Sequence, residues 1–182
     1  MNKAFFLDRD GTINVDYNYV HTPEEWTWCD GAIKALRWMN TNDFKIIIVT
    51  NQSGIARGRY TEEKVQTLHR WVDAELAKKD ISIDDWYYAA HHPKHDPNRQ
   101  FEPNDRKPGT GMFEKAATKH NIDFSKSYMA GDKVSDLKPA IELGITPFFI
   151  RSRHEPNQDK RWLKEHHIST FDNIQNVINT LS

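Results

Sequence analysis

The sequence predicts an α/β protein built around a mostly parallel sheet. Short apolar runs alternate with amphipathic stretches along the chain, which is the order that repeated strand-helix-strand units require. Several of these runs end in an acid, a hydroxyl or a glycine, and a glycine after such a run marks the turn where a buried strand stops. At 182 residues the chain fits one domain with a single core, and we predict one domain over residues 1–182.

The first half of the chain contains three predicted strands and two predicted helices. Short apolar runs indicate the strands, and amphipathic stretches between them indicate the helices. In chain order we predict a strand at Ala4–Leu7, a helix at Gly31–Met39, a strand at Ile46–Val49, a helix at Thr61–Lys78 and a candidate strand at Trp86–Ala90.

The second half continues the alternation after a long irregular stretch from His91 to Gly111. A loop of that length is usually functional or mobile. We then predict a helix at Met112–His120, a strand at Ser127–Ala130, a helix at Ser135–Leu143 that Gly144 closes, and a strand at Pro147–Ile150. Asp172 is the predicted N-cap of a final helix with Ile174, Val177, Ile178 and Leu181 on its apolar face.

Charge and composition exclude several classes of protein. Lys plus Arg total 25 against 26 for Asp plus Glu, without a block of like charge, so we expect no nucleic-acid partner. The single cysteine, Cys29, rules out an internal disulfide and a multi-cysteine zinc site. The N-terminus lacks a signal-peptide pattern and no apolar stretch approaches ~18 residues, so we expect a cytoplasmic protein without a membrane partner. We also expect a monomer.

The first candidate site is the segment Asp8-Arg9-Asp10-Gly11-Thr12, which follows the first predicted strand. The carboxyl edge of an open α/β sheet is where ligands bind, and paired acids there can hold a divalent cation while one of them attacks an electrophile. Asp-Gly is also common in surface turns, so a turn without chemistry is the alternative.

Three further segments favour the chemical interpretation. Thr50 and Asn51 end the second strand, where a hydroxyl and backbone N–H groups can bind phosphate; a strand-end turn is the alternative. Lys107, placed in a loop by the following proline, can neutralise a transferring phosphoryl group, although a lone loop lysine is usually solvated. Asp132 ends a third run and Asp136 follows it, where acids also complement a helix dipole.

These acids suit a magnesium ion, which prefers near-octahedral oxygen ligands and keeps some of its waters. We predict a site formed by Asp8, Asp132 and a main-chain carbonyl near Asp10. Asp136 lies one turn into the following helix, and we expect it to support the ligands from behind rather than to bind the ion.

The four segments resemble the four ordered motifs of the haloacid dehalogenase (HAD) superfamily of phosphatases, over about residues 3–150. Residues 8–16 read DRDGTINVD, residues 50–58 read TNQSGIARG and residues 131–133 read GDK. These runs are similar to the branch of heptose bisphosphate phosphatases, with histidinol-phosphate phosphatases as relatives. The resemblance implies a Rossmann-like three-layer fold. Because no long insertion interrupts the motifs, it also implies that no large cap domain is present.

The resemblance further implies a role for each matching residue. Asp8 is the implied nucleophile, and Asp10 protonates the leaving alkoxide and then activates water. Thr50 and Lys107 hold the phosphoryl oxygens, and one Mg²⁺ per chain binds Asp8, Asp10 and Asp132. Arg106 is the candidate for gripping a second phosphate of the substrate. The implied substrate contacts are Asp16, Tyr17, Asn18, Tyr19, Asn51, Gln52, Ser53, Arg106 and Lys133.

The chain departs from this branch at its structural zinc site. Where relatives carry a Cys-x-His pair and a later Cys-x-Cys, this chain has Ala89, His91, Pro103 and Asp105. Tetrahedral zinc needs four suitable donors, so we expect no structural zinc. Only substitute ligands from among His92, His95 and Asp96 would alter that expectation. In place of the metal, we expect the aromatic residues Trp86, Tyr87, Tyr88 and Phe101 to pack the loop.

The expected function is a Mg²⁺-dependent phosphomonoesterase that acts on a small phosphorylated sugar. The branch favours removal of the 7-phosphate of D-glycero-D-manno-heptose 1,7-bisphosphate for surface-glycan synthesis. Histidinol-phosphate hydrolysis is the first alternative, since it changes only the leaving group. A phosphosugar-binding protein without catalysis is the second, because a fold alone does not make an enzyme. A polynucleotide phosphatase is disfavoured by the charge balance, and a dehalogenase by Asp10, since halide departure needs no acid.

Overall fold

Six parallel strands form one sheet in the computed structural model, which describes residues 1–95, 103–151 and 157–182. The predicted α/β class and parallel sheet are therefore confirmed. The strand order across the sheet is β3-β2-β1-β4-β5-β6. The strands are β1 (Ala4–Leu7), β2 (Lys45–Asn51), β3 (Asp85–Ala89), β4 (Tyr128–Gly131), β5 (Thr146–Ile150) and β6 (Ser169–Phe171).

The described helices connect these strands. Thr61 caps α2, since its side chain accepts a hydrogen bond from the Lys64 amide, and Gly144 closes α4 in the left-handed conformation with φ 76°. The helices are α1 (Ala32–Thr41), α2 (Glu62–Ala77), α3 (Gly111–His120), α4 (Val134–Leu143), α5 (Asn157–Glu165) and α6 (Ile174–Asn179).

The predicted cap of the last helix is wrong by one residue. Asn173, not Asp172, is the N-cap of α6, and its side chain accepts from the Asn176 amide at 3.0 Å. Asp172 instead accepts a hydrogen bond from Arg151. Both residue types cap helices well, so composition alone could not choose between them.

The sheet has a separate apolar core on each face, which makes three layers. Alternate residues of a strand point to opposite faces, so Phe5 and Leu7 contribute to one core and Ala4 and Phe6 to the other. Helices α1, α2 and α6 cover the first face, whereas α3, α4 and α5 cover the second. The three-layer arrangement expected from the resemblance is thus present.

Among the described strands and α-helices, β6 and α5 were not predicted from the sequence. β6 is only three residues long and begins with two polar residues, Ser169 and Thr170, so it lacks an apolar run. α5 is strongly charged, and among its described side chains Leu163 is the one that is buried in the core.

The strand register brings the candidate segments to one edge of the sheet. Leu7 at the end of β1 is paired with Ile48 of β2 and with Ala130 of β4. The next residue, Asp8, donates its amide to the Ala130 carbonyl at 3.0 Å, which continues the pairing one step beyond the strand. Within the described residues, none of the helices is both long and apolar enough to cross a membrane.

Candidate active site

Asp8 lies at the centre of this edge and is 4% exposed. Its Oδ1 atom accepts a hydrogen bond from Lys107 Nζ at 2.8 Å. Burial raises the pKa of Asp8 to about 6; the Lys107 ammonium opposes that rise and the Asp136 carboxylate adds to it. The side chain is therefore a carboxylate at neutral pH, as a nucleophile must be.

Lys107 is buried rather than solvated, so the solvated alternative does not describe it. Its ammonium donates to Asp8 Oδ1, to the Val49 carbonyl at 2.7 Å and to Asp136 Oδ1 at 2.6 Å. Burial would lower the pKa of Lys107, but the Asp136 and Asp8 carboxylates outweigh burial and raise it above its ordinary value. A permanent cation thus sits beside the candidate nucleophile.

Asn51 anchors the loop that carries Lys107, although the two residues are 56 positions apart in the chain. Its side-chain amide donates to the Lys107 carbonyl at 3.0 Å and accepts from the Lys107 amide at 3.1 Å. This pair of hydrogen bonds fixes the loop backbone at the end of β2. Asn51, a predicted substrate contact, therefore has a structural partner at both ends of its amide.

Asp8, Asp132 and Asp136 form a compact acidic cluster. Each offers a carboxylate oxygen, and these atoms lie within 4.8 Å of one another. Burial raises the pKa of Asp132 to about 8; Lys133 opposes the rise, and Asp8 and Asp136 add to it. Among the described residues, Asp132 Oδ1 is buried and accepts no hydrogen bond, and the nearest cation, Lys133 Nζ, lies 3.8 Å away. An oxygen without a hydrogen bond beside two other acids fits a divalent cation, which would bind it directly.

Asp136 and Gly11 shape the surroundings of Asp132 in different ways. Asp136 already accepts from Lys107 and from the Lys133 amide, at 2.9 Å for the latter, which suits a supporting position behind the ligands. Gly11 provides space at the cluster, because a Cβ atom there would lie 2.4 Å from Asp132 Oδ2. Its φ of +88° also favours glycine.

Asp10 points its carboxylate into a set of hydrogen-bond donors. Arg9 donates through Nε and a terminal nitrogen at 3.0 Å each, Asn14 donates at 2.9 Å and Gln52 at 3.0 Å. Burial would raise the pKa of Asp10, but the Arg9 guanidinium and these hydrogen bonds outweigh it and lower the pKa. In this structure Asp10 is therefore held as a carboxylate, the form that can accept a proton.

Arg9 is a buried neighbour of Asp10 to which the sequence analysis assigned no role. It is fully buried, donates to the Val20 carbonyl at 2.6 Å and lies 3.4 Å from His69 Nε2. Burial, followed by the charge of Arg9, lowers the pKa of His69 to about 3, so the histidine is neutral and can accept from the guanidinium. The signal in the sequence that could have pointed to Arg9 is its position between two acids, Asp8 and Asp10.

A small cavity of about 40 Å³ joins the four predicted motifs. Thr50 is buried at its wall, as predicted for a residue that binds phosphoryl oxygens. The cavity is lined by Asp8, Asp10, Thr50, Asn51, Lys107, Lys133, Ser135 and Asp136.

The loop with the predicted substrate residues 16–19 lies beside a larger cavity of about 690 Å³. Asn18 and Tyr19 have φ of 64° and 61°, and Asp16 stabilises this turn by accepting from the Asn18 amide at 2.9 Å. Lys133 reaches toward the same loop, 3.8 Å from Asp16 Oδ2. Tyr17 is exposed. Asp16, Asn18 and Lys133 line this cavity together with Asp132, so the loop borders the acidic cluster.

The Arg106 side chain contacts the main chain of the preceding loop. Its guanidinium donates to the His91 carbonyl at 3.0 Å. Burial lowers the pKa of Arg106, and the nearby Arg57 guanidinium lowers it further. Two like charges close together provide a place for an anion.

The zinc expectation stays a prediction, because residues 96–102, including Asp96 and Phe101, lie outside the described residues. Of the relevant positions that are described, Asp105 accepts from Lys115 at 2.6 Å and His91 is buried. Trp86 is half-buried and packs against the core on one face of the sheet.

Comparisons with known proteins agree with this geometry. The family model described as "Polynucleotide kinase 3 phosphatase" matches residues 3–172. The chain is 46% identical over 151 residues to the D-glycero-beta-D-manno-heptose-1,7-bisphosphate 7-phosphatase of Escherichia coli O6:H1, covering 82% of this chain and 80% of that protein. It is 45% identical over 141 residues to the protein of the same name from Haemophilus influenzae, covering 78% and 77%.

A solved structure extends the match to nearly the whole fold. It is the D,D-heptose 1.7-bisphosphate phosphatase from B. bronchiseptica, complexed with magnesium and phosphate. The two chains superpose with a TM-score of 0.81 at 26% identity, covering 98% of this chain and 97% of the other.

The fold, the buried ion pair of Asp8 with Lys107 and the acidic cluster are those of a phosphatase of the HAD superfamily. More narrowly, the chain belongs to the polynucleotide kinase 3 phosphatase family, in the branch that contains the heptose bisphosphate phosphatases.

Proposed function

We propose that this phosphatase cleaves phosphomonoesters through an aspartyl-phosphate formed on Asp8. An oxygen of Asp8 attacks the phosphorus, the bond to the leaving oxygen breaks, and Asp10 gives that oxygen a proton. Water then attacks the phosphorus, Asp10 takes its proton, and inorganic phosphate leaves with Asp8 restored. The buried contact between Asp8 and Lys107 is the observation that carries this proposal.

Asp10 must gain a proton before it can act as an acid. Its present donors hold it ionised, but a bound phosphate dianion would raise its pKa by charge repulsion. Thr50 and Lys107 would meanwhile hold the phosphoryl oxygens and stabilise the charge that develops on them.

One Mg²⁺ per chain fits the acidic cluster. Asp8, Asp132 and the main-chain carbonyl of Asp10 would hold it, with Asp136 supporting from behind. The buried Asp132 Oδ1, which accepts no hydrogen bond within the described part of the chain, supports this assignment. When bound, the ion would neutralise negative charge on the phosphoryl group and the carboxylates.

The favoured substrate is D-glycero-D-manno-heptose 1,7-bisphosphate, cleaved at its 7-phosphate for surface-glycan synthesis in the cytoplasm. The names of the relatives and of the magnesium-bound and phosphate-bound structure support this choice. Arg106, with Arg57 nearby, would bind the phosphate that is not cleaved. Lys133, Ser53 and the loop of residues 16–19 would contact the sugar.

A phosphate-release screen tests the proposal. The substrates are sugar bisphosphates, sugar monophosphates and histidinol phosphate, each with Mg²⁺ and with EDTA. We expect the heptose bisphosphate to be cleaved fastest, no turnover in EDTA, and no turnover by Asp8→Asn at any metal concentration. Arg106→Ala is the matched variant and should lose about tenfold more kcat/KM on the bisphosphate than on the monophosphate.

Each outcome of the screen separates one part of the proposal from the others. Undiminished turnover by Asp8→Asn would exclude the covalent route. Equal losses by Arg106→Ala on both substrates would remove Arg106 from recognition of the second phosphate. Faster cleavage of histidinol phosphate would favour that alternative, since the same cavity could act on it. An inactive wild-type protein that still binds sugar phosphates would favour the non-catalytic alternative.

The description of the matching family model raises a second candidate, a polynucleotide 3-phosphatase. Such an enzyme could use the same nucleophile and acid. A nucleic-acid substrate, however, is normally bound by a basic stripe, whereas this chain has a net charge of -1 without a like-charge block. We therefore rank this candidate below the sugar phosphatase.

A further inference from the structure

The Gln52 side chain connects two groups of the active site and is 2% exposed. Its Nε2 atom donates to Asp10 Oδ2 at 3.0 Å and to Thr50 Oγ1 at 2.9 Å. Its Oε1 atom accepts from the Tyr60 hydroxyl at 2.7 Å. Both ends of the amide are thus used inside the protein, so this predicted substrate contact has an internal role.

The direction of this amide decides what Asp10 and Thr50 can do. An ionised carboxylate only accepts hydrogen bonds, so Asp10 needs the NH₂ end of Gln52 to face it. Thr50 Oγ1 also accepts from that end, which leaves the hydroxyl proton of Thr50 to be donated to a phosphoryl oxygen. If the amide turned over, its oxygen would face the Asp10 carboxylate and repel it.

Tyr60 supplies the group that prevents this rotation. Burial raises the pKa of Tyr60 to about 12, so its hydroxyl remains a donor at neutral pH. The ring is fixed on two sides: it stacks on His21 with centroids 4.8 Å apart, and a Cβ atom at Gly54 would lie 2.3 Å from Tyr60 Cε1. The hydroxyl is therefore presented to Gln52 in one position.

We propose that Tyr60 is a positioning residue for catalysis, whose hydroxyl fixes the Gln52 amide and thereby aligns Asp10 and Thr50 on the reacting phosphoryl group. The inference rests on the proposed phosphatase mechanism. Tyr60 itself touches neither the acidic cluster nor the small cavity as described. The Tyr60 hydroxyl donates to Gln52, so its effect on the site is expected to pass through that amide, and the cycle below tests this.

Tyr60→Phe is the first test, because it removes the hydroxyl and keeps the ring. We expect kcat on the heptose bisphosphate to fall by about tenfold with KM changed by less than about threefold, since the lost alignment matters in the transition state. Tyr88→Phe is the matched control. The Tyr88 hydroxyl also bonds a glutamine, Gln66, at 2.8 Å, but on the exposed surface of α2, and its kcat should be unchanged.

The second test is a double-mutant cycle with Gln52→Ala. If Tyr60 acts through Gln52, the double variant will be no slower than Gln52→Ala alone. Losses that multiply, or a Tyr60→Phe variant with wild-type kcat, would overturn the inference. Thermal unfolding of each variant checks that the fold is retained.

A third measurement does not depend on turnover. In a proton–nitrogen correlation spectrum of the metal-free protein, the side-chain amide signals of Gln52, identified by their loss in Gln52→Ala, should shift in Tyr60→Phe and stay unchanged in Tyr88→Phe. Unmoved signals in Tyr60→Phe would contradict the inference. An inactive wild-type protein would defeat the proposed function and leave this spectroscopic result standing on its own.

Discussion

At the scale of single residues, the site places three acids around one lysine. Lys107 contacts Asp8 and Asp136 directly, while Asp132 Oδ1 has no hydrogen bond to any residue that the structure describes and lies 3.8 Å from the Lys133 ammonium. Burial raises the pKa of Asp132 to about 8, Lys133 opposes the rise, and the neighbouring carboxylates of Asp8 and Asp136 add to it.

Magnesium should stabilise the protein more strongly as pH rises. A carboxyl group whose pKa is raised by folding favours the folded state below its ordinary pKa and loses that contribution as pH rises through the raised value, near 8 for Asp132. Mg²⁺ requires the ionised form, so it should add up to about 2.7 kcal/mol at about 100 times its Kd near pH 9, and much less near pH 6.

Thermal unfolding with Mg²⁺ or EDTA at both pH values measures this difference. Asp132→Asn is the control, because the uncharged amide cannot titrate and should reduce the pH dependence of the magnesium effect to the part due to Asp8, whose pKa is raised to about 6. An equal magnesium effect at both pH values in the wild-type protein would contradict the assignment of Asp132 as a ligand.

Sequence patterns identified the acids of the site more clearly than the basic residues that contact them. Asp8, Asp10 and Asp132 follow apolar runs or lie near them, and that local signal is visible along the chain. The burial of Lys107 and the place of Arg9 among His69, Val20 and Asp10 depend on contacts between distant segments. Such contacts have no local signature, so a loop lysine and a motif arginine could equally be solvated.

At the scale of elements, the position of each strand in the sheet influences how visible it is in the sequence. The central strands β1 and β2 are buried on both faces and are apolar throughout their middle residues. The edge strand β6 is short and polar, and it was missed. The other edge strand, β3, is only partly buried but was predicted because it contains Trp86, Tyr87 and Tyr88, so an apolar or aromatic run is what sequence analysis detects.

The cap of α6 gives a direct test at this scale. Asn173→Ala removes the side chain that accepts from the Asn176 amide and should lower the free energy of unfolding by about 1 kcal/mol. The helix buries Ile174, Val177 and Ile178 in the core. Fraying of its first turn would therefore also weaken the packing of these side chains.

Asp172→Ala is the matched control for the cap. It removes an acid next to the cap that pairs with Arg151 on the surface, and exposed pairs of this kind contribute little. Urea unfolding of both variants compares them. A larger loss from Asp172→Ala than from Asn173→Ala would show that the assigned cap is wrong.

At the scale of the whole molecule, the near-neutral net charge favours a sugar phosphatase over a polynucleotide phosphatase, the two classes that the comparisons suggest. The chain balances 25 basic against 26 acidic residues. A protein that contacts several DNA phosphates gains most of its affinity from released counterions, and that term needs an excess of basic residues at the surface. A small sugar bisphosphate needs only a local pair of guanidinium groups, as Arg57 and Arg106 could supply.

Filter binding of duplex and single-stranded DNA at low salt tests this distinction. We expect no retention at micromolar protein, because the overall charge provides no electrostatic attraction. A basic DNA-binding protein in the same assay is the positive control. Tight binding that weakens steeply with added salt would instead favour the polynucleotide candidate.

The contact between Lys107 and two of the acids has a consequence for how the enzyme matures. Because this internal ammonium already partners Asp8 and Asp136, we expect the chain to fold in buffer without a divalent cation. The proposed Mg²⁺ would then bind a preformed acidic cluster and add to the stability of a protein that is already folded. Magnesium supply would in that case set the active fraction of the enzyme.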